Sequence, residues 1–187
     1  MRKCPAKPGE GGNLKAFSIR DQTETDFAAV HQLVIAAFKT LPVACGREQF
    51  VMDALWRTGA ATVALVAEER GATGTGAIVG QAAFSKVLVG GADVGWHGCG
   101  PVAVLPARHK QGIGSALMRA GLERLRVLGS KGCVVVGDPA YYPRFGFANT
   151  DAMFEPGVPP EVFMAISFDG AMPRGEVKFD KAFEAKG

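Results

Sequence analysis

Pro101–Met118, PVAVLPARHKQGIGSALM, is the stretch on which the reading of this chain turns. It begins apolar and strand-like, passes Pro106, carries Arg108, His109 and Lys110 in a row, and then places Gly112 and Gly114 ahead of good helix formers. Glycine inside a helix is unfavourable by up to about 1 kcal/mol relative to alanine, so two of them at a helix start call for a reason. A helix N-terminus leaves N–H groups unpaired and carries about half a positive charge. Glycines there remove the Cβ atoms that would hold a ligand away, and the result is a cradle suited to phosphate. The competing reading is a tight strand-to-helix turn in which Gly112 eases close packing. The local pattern does not choose between them.

Working outward, Lys15 to Asp21 alternates as a first strand, and Thr23 to Phe38 has helical period with Thr23 and Asp26 as a capping pair. Leu41-Pro42 ends that helix. Arg47 to Trp56 predicts a shorter one, stopped by Gly59. The period then changes: Ala61 to Glu69, Ala77 to Val89 and about Val94 to Leu105 predict three strands, with a turn at Gly71 to Gly76 and a hairpin at Gly90-Gly91. The helix opened by the quoted stretch runs to about Leu128, with Leu117, Gly121, Leu125 and Leu128 on its buried face. Gly132 to Asp138 is a buried strand, Ala140 to Phe147 a short turn or helix, and Glu161 to Phe168 a late strand. The expectation is one α/β domain with a mixed sheet, covering 15–187 behind a Pro- and Gly-rich N-terminal tail, 1–14.

Composition bounds the rest. A chain of 187 residues with 48% apolar and 21% charged residues supports one sizeable core. A net charge of +3 is too weak to argue for a nucleic-acid partner, so any electrostatic role is local. No apolar run reaches the ~18 residues of a membrane span, and the basic N-terminus lacks the apolar core of a secretory signal. Cys4, Cys45, Cys99 and Cys133 are far apart, without CxxC pairing, which argues against a zinc site and reads as reduced thiols in a cytoplasmic protein. No metal is expected.

Two familiar phosphate loops fit poorly. There is no GxxxxGK[ST], and GIGSAL lacks the third glycine or alanine of GxGxxG/A. The quoted stretch instead resembles the acetyl-CoA-binding motif of the GNAT N-acetyltransferases: an apolar strand, then Q/R-x-x-G-x-G/A opening a helix. His109 takes the Gln/Arg position, followed by Lys110, Gln111, Gly112, Ile113 and Gly114. GDPAYYPRFGF is similar to the later Tyr-x-x-x-Gly-Phe signature, with Tyr142 as its tyrosine and Gly146-Phe147 as its ending. The YYxRFGF form, with GPVAV upstream, is most similar to the YhbS type within that family. The resemblance covers about Ala16 to Phe183. It implies a mixed, mostly antiparallel central sheet flanked by helices, with two strands splayed at an acetyl-CoA site.

The resemblance also implies a chemistry. The pantetheine arm would pair with the backbone of Val102, Ala103 and Val104, as a strand adds to a sheet edge. The pyrophosphate would take N–H groups from about His109 to Ser115, with Arg108 and Lys110 near the phosphates or simply solvated. The replacement of Gln/Arg by His109 carries an expectation of pH dependence in binding. An amine would then attack the thioester. Presenting a lysine-like amine as its free base at pH 7 costs roughly 4–5 kcal/mol, whereas protonating a thiolate is worth only about 2 kcal/mol. Tyr142 is the candidate acid for the sulfur, its other reading being a core tyrosine. His97 is the candidate base, with a chemistry suited to neutral pH, against a loop or surface role. It precedes Val102 by five residues, so alternation puts them on opposite faces unless a bulge intervenes. Glu48 is a second candidate, and a water chain a third. His31 reads as structural, and Trp56 and Trp96 as core more than acceptor groove.

The acceptor reads as a small-molecule or peptide amine, met by loops at Thr40 to Gly46, Gly90 and Asp151 to Pro160. A homodimer is family habit. A catalytically silent acetyl-CoA-binding module and a nicotinamide enzyme are the rival classes.

Overall fold

The computed structural model describes residues 17–39, 46–69 and 76–186. The expected tail, most of the Thr40 loop and most of the Gly71 turn lie outside them. The described strands are β1 (Phe17–Asp21), β2 (Ala61–Glu69), β3 (Ile78–Val89), β4 (Ala92–Val104), β5 (Gly132–Val136), β6 (Ala148–Asn149), β7 (Met153–Phe154), β8 (Phe163–Ser167) and β9 (Gly175–Lys178). The helices are α1 (Phe27–Phe38), α2 (Glu48–Arg57) and α3 (Ile113–Val127). Among the described residues no helix is long and apolar enough to cross a membrane.

The sheet runs β1-β2-β3-β4-β5-β8-β6, with β9 joined to β3 and β7 to β9. The pairs β1 to β4 are antiparallel, β4–β5 is parallel, and β5–β8 returns to antiparallel. Strand alternation sorts side chains between two layers. Val63, Leu65, Phe84, Cys99, Cys133 and Val135 face Leu117, Leu122 and Leu125 of α3. Val66, Ala83 and Ala103 face Val30, Val34 and Leu55 of α1 and α2. Trp96 is buried among Val87, Val134 and Phe163, a core residue as its apolar surroundings require.

The start of α1 is stapled through Asp26. Its carboxylate accepts the Thr23 N–H at 2.7 Å and two Arg20 N–H groups at 2.6 and 2.9 Å. The same Arg20 reaches Glu68 of β2 at 2.8 Å, tying helix entry to the sheet. His31 holds α1 to α2 through Asp53 at 2.9 Å, the structural role its mid-helix place suggested.

Two features position the site. Between the partners Phe84–Cys99 and Ala82–Val102, β4 advances three residues while β3 advances two, a bulge at Gly100-Pro101. The pairing of β4 with β5 ends at Cys99 and Val135. Beyond that point β4 continues alone on that side, as far as Val104.

Candidate active site

The parting of β4 from β5 opens a cleft of about 760 Å³. It runs from the first turn of α3, past Val102, Ala103 and Val104, to Tyr141 and Tyr142, and reaches Ala37 near the end of α1. The edge of β4 is chemically open there. The Leu105 N–H donates to Val79 of the β3 side at 3.0 Å, so antiparallel alternation turns the N–H and C=O groups of Val102 and Val104 towards the gap. The Val104 carbonyl accepts from His109 Nε2 at 3.0 Å rather than from a strand.

The cradle is built from backbone. Lys110 and Gly112 have φ of 61° and 80°, left-handed values that glycine adopts without cost. Gly112 is the N-cap of α3, and its carbonyl accepts the Ala116 N–H at 2.9 Å. Ile113 is 2% exposed and packs into the sheet, so it anchors the helix start while its N–H stays at the terminus. The first N–H groups of a helix have no partner within it, which leaves Ile113, Gly114 and Ser115 as donors facing the cleft.

The two glycines differ in role. A Cβ on Gly112 would meet nothing within 4 Å, so that residue serves its backbone angle. A Cβ on Gly114 would fall 2.9 Å from the Tyr141 hydroxyl, so that residue serves a close approach. The close packing expected at Gly112 is therefore absent there, and the tight approach falls at Gly114 instead, against Tyr141.

Tyr142 lies across the end of β5. A Cβ on Gly137 would stand 2.4 Å from its ring, and the ring meets Tyr141 and Phe147 edge-on at 5.2 and 5.9 Å. Burial pushes its phenol well above the ordinary value. It is therefore neutral at physiological pH. The short link Asp138–Tyr142 is a tight turn, with Tyr141 and Tyr142 N–H both donating to the Asp138 carbonyl at 2.9 and 3.3 Å. Cys99 and Cys133 are buried and their thiols are held protonated by burial, which makes them inert.

Three expectations change. His97 is not brought to the cleft. The bulge does put it on the same face as Val102, but it sits where β4 and β5 still pair, opposite Cys133. Its Nδ1 pairs with Ser130 Oγ at 2.8 Å, and the same hydroxyl lies within hydrogen-bond distance of the Gly95 and Gly132 carbonyls, at 3.1 and 3.0 Å. Ser130 lies just past the C-terminal end of α3, about 22 Å from the cradle at a rise of 1.5 Å per residue. Burial, with Lys86 nearby, lowers its pKa. Arg108 lines the cleft but is not a free cation: its guanidinium grips Glu69 at 2.6 and 3.1 Å. Two His109 donors expected for an anion are engaged, the backbone N–H with the Pro106 carbonyl and Nε2 with the Val104 carbonyl.

Glu48 opens α2 and does not line the cleft. Trp56 donates to Glu24 at 3.2 Å and lines a separate hollow. The segment Asp151 to Pro160 walls another hollow, of about 600 Å³, that shares no residue with the cleft. Sequence reasoning passed over Tyr141, Arg144 and Asp138, all of which line the cleft. The doubled tyrosine was a usable signal, because two adjacent residues of a tight turn present different faces.

Comparison with known proteins agrees with this geometry. Residues 60–149 match the model of the acetyltransferase (GNAT) domain. The N-acetyltransferase YhbS of Escherichia coli strain K12 is 33% identical over 129 residues, 69% of this chain and 72% of that protein. A crystal structure of a GNAT family acetyltransferase from Brucella melitensis in complex with acetyl-CoA is 41% identical, with a TM-score of 0.78 over 90% of this chain and 99% of that one. The E. coli YhbS structure in complex with CoA gives a TM-score of 0.82 at 27% identity over 96% and 98% of the two chains. With relatedness of this extent carried by a sheet that parts beside a glycine-opened helix, the chain belongs to the GNAT family of acetyltransferases.

Proposed function

We propose that the cleft takes acetyl-CoA and passes its acetyl group to a primary amine of a small molecule or protein. The observation that carries this is the continuity of the cleft from the α3 N-terminus to Tyr142 along the unpaired edge of β4. The N–H groups of Ile113, Gly114 and Ser115 suit a pyrophosphate, and the backbone of Val102 and Val104 suits the amides of a pantetheine arm. Two relatives with the same fold are complexes with acetyl-CoA and with CoA, which supports the assignment.

In the reaction the amine nitrogen attacks the thioester carbonyl, a C–N bond forms and the C–S bond breaks. The sulfur gains a proton, for which Tyr142 is the donor. The amine loses one. His97 is remote, and His109, the imidazole of the cleft, is engaged with Val104. We therefore assign the loss to bulk water, with the acceptor arriving as its free base. Among the described residues the cleft reaches α1 at Ala37, on the sheet face opposite α3, and we place amine entry there.

Thermal unfolding in the presence of acetyl-CoA, CoA, NAD and ATP tests the reading. A ligand at ~100 times its dissociation constant adds about 2.7 kcal/mol of stability. Both CoA species raise the midpoint and NAD and ATP do not. A rise with NAD or ATP alone would refute the assignment. Thiol release over a panel of amines then identifies the acceptor, and kcat/KM climbs about tenfold per pH unit below the amine's own pKa.

A further inference from the structure

Two members of the basic triplet Arg108, His109 and Lys110 are already engaged by the protein itself. Arg108 is committed to Glu69, and the His109 ring to the Val104 carbonyl. Among the described residues, Lys110 and Arg144 are the cations lining the cleft that form no ion pair. Lys110 belongs to the cradle loop. Arg144 stands on the opposite wall, and its position is fixed. Its guanidinium lies over the Tyr141 ring, 4.6 Å from the centroid, and one of its nitrogens donates to the Ala140 carbonyl at 3.3 Å.

Tyr141 is fixed in turn. Its ring meets Tyr142 at 5.2 Å and Phe145 at 5.3 Å, both edge-on. Its hydroxyl occupies the space that a side chain at Gly114 would need. The chain of contacts therefore runs from Gly114, in the first turn of α3, through Tyr141 to Arg144. Asp138, the carboxylate of this wall, accepts the Ala140 N–H at 2.8 Å and so braces the same turn. A guanidinium stacked on an aromatic ring keeps its in-plane N–H groups free for a planar or multidentate anion. Loss of side-chain entropy on binding is reduced because the stack already holds the group.

We propose that Arg144, presented on Tyr141, binds the phosphate-bearing part of the thioester donor and so selects a phosphorylated donor over a bare pantetheine thioester. This rests on the reading of the cleft as an acetyl-CoA site. Two sources of the anion share one chemistry, the pyrophosphate and the ribose phosphate, and the test separates them.

The test is calorimetric titration of wild type, R144Q, R144K, Y141A and the R144Q/Y141A double variant with CoA and 3′-dephospho-CoA at two ionic strengths. Ligand-free thermal midpoints are recorded for each. R144Q weakens CoA binding by about ten- to hundredfold, the worth of one hydrogen bond to a charged group. It also flattens the dependence of Kd on ionic strength, which a purely structural residue would not do. R144K keeps that dependence and loses less affinity. Y141A, which removes the platform, matches R144Q, and the double variant loses little more than either. A penalty that vanishes with 3′-dephospho-CoA assigns Arg144 to the ribose phosphate, and one that persists assigns it to the pyrophosphate. R144Q binding CoA as wild type does, or weaker binding with the ionic-strength dependence intact, overturns the proposal. Wild type failing to bind CoA at all overturns instead the reading of the cleft.

Discussion

Replacing Gly114 by alanine separates ligand binding from folding at a single atom. Gly114 is the second residue of α3, so alanine gains about 0.5–1 kcal/mol of helix propensity there. The new methyl would stand 2.9 Å from the Tyr141 hydroxyl and 3.6 Å from Val104 Cγ2. The first distance is too short, and Tyr141 has to yield by a few tenths of an ångström against Tyr142, Phe145 and Arg144. Overpacking of that kind costs roughly 1 kcal/mol, close to what the helix gains. The ligand-free midpoint therefore barely moves. The methyl also stands beside the N–H groups offered to an anion, and loss of one charged hydrogen bond raises the Kd for CoA by about ten- to hundredfold. Gly112→Ala behaves in the opposite sense. Its φ of 80° strains alanine by about 1–2 kcal/mol, while its Cβ meets nothing. At this chain length that lowers the midpoint by roughly 2–8 °C. Scanning calorimetry and titration with CoA, run on both variants, give the answer. Gly114→Ala binding CoA as tightly as wild type, or losing stability in step with affinity, would refute the close-approach argument.

Tyr142→Phe lowers kcat by about tenfold to hundredfold with KM for the donor little changed, because protonating a thiolate is the lighter demand of the reaction; the phenol, raised above its ordinary value by burial, adds no limb to the rate profile below pH ~10. Asp26, held down to about 2 by Arg20, stabilises the fold fully above the unfolded carboxyl value of ~3.9 and loses that contribution as pH falls towards 2. Asp26→Asn should cost about 1–2 kcal/mol at pH 7, allowing for solvent screening of the arginine, whose side chain is 34% exposed, and denaturant titrations of the two proteins should converge near pH 2. Gly121→Ala puts a methyl 2.1 Å from the fully buried Phe84 ring, and a net loss of about 1–3 kcal/mol in chemical denaturation is expected with CoA affinity per folded molecule unchanged.

What the sequence made legible was local in origin. The strand Ala61–Glu69 appears with its expected ends, because alternation between two buried layers and flanking breakers act within a few residues. The helix beginning at Ile113 and the left-handed Gly112 follow from the composition of one loop. The Thr23–Asp26 pair forms, yet the first turn it caps is a 3-10 turn, Glu24–Asp26, whose Asp26 also accepts from Arg20. His97 shows the limit more sharply. HGCGPVAV raised the condition that only a bulge would bring His97 to the Val102 face, and that bulge is present. What the residues could not give is the depth at which β4 leaves β5. That depth depends on how far Gly132–Val136 extends beside β4, a contact between segments more than thirty residues apart.

The same distinction explains the charges of the site. Arg108, His109 and Lys110 are adjacent in sequence and look like one basic patch. In the fold their roles separate. Glu69, at the end of β2, pairs with the Arg108 guanidinium at the cleft wall, while the open carbonyl of Val104 takes the His109 ring. Arg144, thirty residues beyond α3's first turn, comes back to the cleft because Tyr141 stands on Gly114. On the proposed reading, that one glycine acts twice, removing a methyl from the path of a ligand and admitting the tyrosine on which Arg144 is stacked. The glycine pattern is legible in sequence because backbone conformation requires it. The cation is not, because its place is set by a side-chain stack that only the closed fold assembles.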